Sequence, residues 1–130
     1  MKRTLLLSLV IAMVFAVAAA AGDEAKSKDA KATKVTLTGE VLDMYCYMSH
    51  PESAVGEGHA KCANSCIDRG LPVGFLASDG TVYLIIGSDH AAANEMLKGW
   101  AGKKSTITGT IVEQAGIKAI DISAIAEAKS

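Results

Sequence analysis

Gly102-Lys103-Lys104-Ser105-Thr106-Ile107-Thr108-Gly109-Thr110-Ile111 puts Ile107, Gly109 and Ile111 on one side of an extended chain and Thr106, Thr108 and Thr110 on the other. Successive side chains point to opposite faces only in a strand, so this period of two predicts a strand over 105–113. Immediately downstream, Gln114-Ala115-Gly116 turns the chain. Ile117 to Ile125 then predicts a last strand, with Ile120 and Ile122 on one face.

Upstream, Ser88 stands where an N-cap would precede a helix carrying Ala91, Ala92, Met96 and Leu97, closed by Gly99. Before it, Val73 to Ala77 and Thr81 to Ile86 are two apolar runs around Ser78-Asp79-Gly80, a hairpin signal. Val35 to Asp43 alternates apolar and polar residues, and the same period continues through Met44-Tyr45-Cys46-Tyr47-Met48. A strand is therefore expected to run on into that segment. His50-Pro51-Glu52 and Gly56-Glu57-Gly58 punctuate a long loop. His59 to Arg69 lacks Pro and Gly and predicts a short helix that Gly70 ends.

The expected fold is mainly β: five strands, one helix between the third and fourth, and a short helix in a Cys-rich insertion at 44–70 after the first. This element order, with the wording of residues 102–111, resembles the OB-fold, a small Greek-key barrel. The likeness covers roughly residues 35–125 and is to the small exported OB-like domains of bacteria. It implies a five-stranded barrel domain over 35–126 and carries no function with it.

The N-terminus reads as an export signal over residues 1–21. Lys2 and Arg3 are followed by an apolar run from Leu5 to Val17 and by small residues to Ala21, with cleavage expected near Ala20 or Ala21. That run is shorter than the roughly 20 residues a spanning helix needs. Residues 22–34, rich in Ala, Ser and Lys, read as a solvated linker. The expected product is exported, periplasmic or secreted, and not membrane-spanning. Losing Lys2 and Arg3 from 13 basic side chains leaves 11 against 14 acidic ones, a formal charge of −3. No concentrated basic face is present, so no nucleic-acid partner is expected.

Chemistry concentrates in the insertion. The chain has three cysteines, Cys46, Cys62 and Cys66, and an odd number in an exported protein leaves one thiol unpaired. Together with His59 they make the donor complement of a tetrahedral Cys₃His site. Thiolates and imidazole suit a zinc or copper ion, held structurally, sequestered or delivered. His59, Cys62 and Cys66 share one face of a helix, but residues seven apart are ~10.5 Å apart along its axis. The site closes more easily if His59 lies just before the helix and Cys46 arrives from the end of the first strand.

Met44 and Met48 would flank Cys46 on a strand, either as thioether ligands that favour copper or, as Met more often does, filling the core. Asp43 and Asp68 read as solvated carboxylates or as outer partners of the site, and His50 and His90 as surface residues. Tyr45 and Tyr47 would point away from Cys46. A disulfide from Cys46 to Cys62 or Cys66 is the open alternative, making the domain a stapled envelope module that binds a partner protein or small ligand without metal. A Cys62–Cys66 redox couple carries the least support. With no nucleophile elbow, phosphate loop or His-Glu-x-x-His pattern, the sequence reads as a non-enzyme.

Overall fold

The computed structural model describes residues 32–129. The segment read as an export signal and linker residues 22–31 lie outside the described residues. The elements are β1 (Thr33–Asp43), α1 (Met44–Ser49), α2 (Ala60–Asp68), β2 (Val73–Ala77), β3 (Val82–Gly87), α3 (Asn94–Leu97), β4 (Lys104–Gln114) and β5 (Ile117–Glu127), with single 3₁₀ turns at Glu57–His59 and Ser88–His90. The architecture is mainly β, a five-stranded closed barrel in the order β1-β2-β3-β5-β4, with β4 paired back to β1. All pairs are antiparallel except β3 with β5. Among the described residues each strand of the closed barrel has a neighbour on both sides. Among the described residues no helix is long and apolar enough to cross a membrane.

Closure is possible because β1 serves two partners. Thr33 to Glu40 pairs with β4, and Gly39 to Asp43 pairs with β2. The strand changes partner at Gly39, where a side chain would strike the Leu76 carbonyl and the Phe75 ring. The alternation that predicts β4 is realised as burial of Ser105, Ile107 and Gly109 between half-buried threonines. Phe75, Ile107 and Ile120 are fully buried, and Ile67 of α2 and Leu97 of α3 join them in one core. α2 and α3 are therefore bound to the barrel by apolar burial, the main favourable term in folding.

Two expectations are corrected. Met44 to Met48 is not a continuation of the first strand but the body of α1. The Asp43 side chain accepts hydrogen bonds from the backbone N–H groups of Tyr45 and Cys46, both at 3.1 Å, and caps a helix where alternation alone foretold extended chain. Ser88 does not cap a helix over 91–97. Its hydroxyl donates to Asp121 Oδ1 at 2.6 Å, and Asp89 and His90 both have positive φ, so regular helix waits until Asn94. The helix expected over 59–69 resolves into two parts, with His59 in the 3₁₀ turn and Ala60 opening α2.

Gly39→Val should destabilise the domain by about 1–3 kcal/mol through overpacking at the point where β1 changes partner. The urea midpoint should fall with an unchanged slope; a midpoint equal to wild type would show that the crossing has room.

Candidate metal centre

The insertion leaves the barrel where β1 ends and re-enters where β2 begins, at the paired residues Asp43 and Val73. Asp43 is 1% exposed, and its two carboxylate oxygens hold the first turn of α1. Cys46 follows three residues later, half-buried, with its carbonyl accepting from the His50 N–H at 2.7 Å. The backbone N–H of Met44 donates to the Pro72 carbonyl at 3.0 Å, tying the start of α1 to the approach to β2.

Two asparagines seat α2. Asn64 Nδ2 donates to the carbonyls of Ala60 and Ala101 at 2.8 and 3.3 Å, while its Oδ1 accepts from the Ala101 N–H at 3.3 Å. Asn94 Nδ2 donates to the carbonyls of Ile67 and Leu71 at 3.0 and 2.9 Å. The loop before the helix is held by Glu40, whose Oε1 accepts from the Gly56 N–H at 2.6 Å. Gly102, with φ of 78°, lies against Ala60, where a side chain would strike the first residue of α2. With Ala63 and Ile67 turned to the core, Cys62 lies exposed and Cys66 buried one turn later.

This framework gathers the donors around one sulfur. Donor atoms of Cys46, His59 and Cys62 lie within 4.8 Å of one another, and so do those of Asp43, Cys46 and Cys66. Cys46 belongs to both sets, so all four residues singled out from sequence meet at it. They fall into two overlapping triads, not one four-donor set. The three cysteines are free thiols. His59 Nε2 is buried without a hydrogen-bond partner; among the described residues Ser105 Oγ shares that condition. An unpartnered buried nitrogen is costly. Cys66 sulfur accepts from Arg69 Nη2 at 3.4 Å, while Arg69 Nε donates to the Ser65 carbonyl at 3.2 Å.

The Cys46 thiol is pushed up from an ordinary 9.0 to about 12. Its hydrogen bond to the Asp43 carboxylate is the largest cause, followed by burial, by the negative charge of Asp43 and by interaction with Cys62. A bound cation would reverse that balance and displace the proton.

The remaining sequence expectations divide. Met44, half-buried, packs its thioether over Gly74 outside the main core. Met48 is 73% exposed and fills no core. Because the segment is helical, Met44 and Met48 lie four residues apart on one face and Cys46 points elsewhere. Tyr45 is exposed and Tyr47 half-buried; His50, His90 and Asp68 are exposed. Asp43 was the residue undervalued from sequence, and an Asp directly before Met44-Tyr45-Cys46 was its available signal as an N-cap. A cleft of about 750 Å³ lies elsewhere, lined in part by Ile86, Asp89, His90 and Asp121. No protein-family model matches the chain, and no curated protein matches it.

The raised Cys46 value predicts a pH dependence of the ion-free protein. An unfolded Cys46 ionises near 9.0, whereas the folded one keeps its proton to about 12. Its contribution to stability is thus complete below 9.0 and lost as pH rises toward about 12. Asp43→Asn keeps a good cap and removes the charge. The decline in denaturation midpoint across that window should be shallower in this variant than in wild type, and parallel declines would remove Asp43 as its cause.

Proposed function

We propose that this protein is an exported binder of a soft metal ion, zinc or copper, with ligands drawn from Cys46, His59, Cys62 and Cys66. The observation that carries this reading is the convergence of sulfur and imidazole donors from α1, the 3₁₀ turn and α2 on Cys46, with His59 Nε2 buried and unpartnered beside them. Soft thiolates and an imidazole are the donor chemistry of copper and zinc sites. The strand order, with its parallel β3–β5 pair, supports an OB-like barrel as the carrier.

Sequestration and delivery fit better than a purely structural ion. The barrel core is built from apolar side chains apart from the donors, and Cys62 is exposed, open to an incoming ligand. The partner in such a transfer is a metal-accepting protein of the cell envelope. The role is binding, with no catalytic step assigned to the cluster.

Mature protein purified from the envelope without added metal should contain about one equivalent of zinc or copper by elemental mass spectrometry and show three free thiols after chelation. Cys46→Ser should lose most of that metal while retaining the far-ultraviolet circular dichroism of wild type. No metal, together with one free thiol and an intact disulfide, would instead make the domain a stapled binding module.

A further inference from the structure

We infer that the ion is Cu(I), held three-coordinate by Cys46, His59 and Cys62, and that Cys66 stands outside the site. This seat presupposes the metal-binding role proposed above and narrows it to one triad and one ion.

The two triads around Cys46 are unequal. In the Cys46–His59–Cys62 set the donor atoms are mutually within 4.8 Å. None of the three has a cationic neighbour bonded to its donor atom in the hydrogen bonds described, and His59 Nε2 is buried with no partner. In the Asp43–Cys46–Cys66 set two of the three donors are already engaged. Both Asp43 oxygens accept the N–H groups that begin α1. Cys66 sulfur accepts from the Arg69 guanidinium at 3.4 Å, a fixed positive charge beside that sulfur that disfavours a cation there. Cys66 also falls outside the set of donor atoms that His59 and Cys62 share with Cys46.

Two thiolates and one imidazole complete the shell of a soft, monovalent d¹⁰ ion. They leave zinc one ligand short of the four it takes in closed sites. Exposure of Cys62 gives an acceptor thiolate a point of attack at the solvent edge of the three-coordinate site.

The test is anaerobic titration of the ion-free mature protein with Cu(I) in competition with a chromogenic Cu(I) chelator, followed by copper X-ray absorption. Wild type should take up one equivalent, with two sulfurs and one nitrogen at the metal. Cys66→Ala should keep that affinity within a few-fold and keep the same spectrum. Cys62→Ser and His59→Ala should each lose more than the roughly 10- to 100-fold that removing an outer partner costs. Circular dichroism of each variant separates lost ligands from lost fold. A three-sulfur spectrum, or loss of the site in folded Cys66→Ala, would overturn the triad while leaving metal binding intact. Tight zinc with no competitive Cu(I) uptake would overturn the ion, and uptake of neither metal would bring down the metal-binding role itself.

Discussion

The carboxylate of Asp43 lies at the junction on which the insertion depends. It is the last residue of β1, paired with Val73, and almost fully buried. A buried carboxylate is tolerated only if its oxygens are hydrogen-bonded, and the nearest available donors are the first free N–H groups of the following segment. Satisfying the carboxylate therefore makes that segment a helix, ends β1 and fixes the direction in which Cys46 leaves the barrel. The same carboxylate holds the Cys46 proton tightly. One group thus settles a strand end, a helix start and the chemical state of the sulfur at the centre of the cluster.

Across from it, α2 is held by two amide side chains, its own Asn64 reaching out to the Ala101 backbone before β4 and Asn94, the first residue of α3, reaching in to the end of the helix. Ala63 and Ile67 bury the inner stripe of the helix. The combination sets both the rotation and the axial position of α2, which is why Cys62 faces solvent and Cys66 does not. Side chains that bond only to backbone thus decide which cysteines are available to an ion.

The strands were readable because alternation of apolar and small or β-branched residues maps directly onto a pleated wall with one face in the core. Ile107 and Ile120 are examples. The same rule failed at Met44 to Met48, where a period of two persisted by chance into a six-residue helix. The local decision there belonged to the capping residue in front of the segment. Ser88 failed in the opposite sense, because its hydroxyl is taken by Asp121 on a strand 33 residues away, a contact no local window contains. Cys46, His59, Cys62 and Cys66 were visible as candidates from residue type and spacing alone. Their division into two triads was not, since it depends on the rotation of α2 set by Asn64 and Asn94.

The parallel pairing of β3 with β5 has a temporal consequence. Every donor in the cluster lies between residues 43 and 66, yet the backbone groups that hold α2 in place include Ala101, and the barrel closes only when residues 117–127 pair with both β3 and β4. As the chain emerges N-terminus first, the thiols appear well before the structure that spaces them. Long-range strand pairing is slow compared with helix formation. The cysteines thus pass through an interval as unordered, reactive neighbours, and the geometry that distinguishes one sulfur from another is imposed last, by the C-terminal end of the chain.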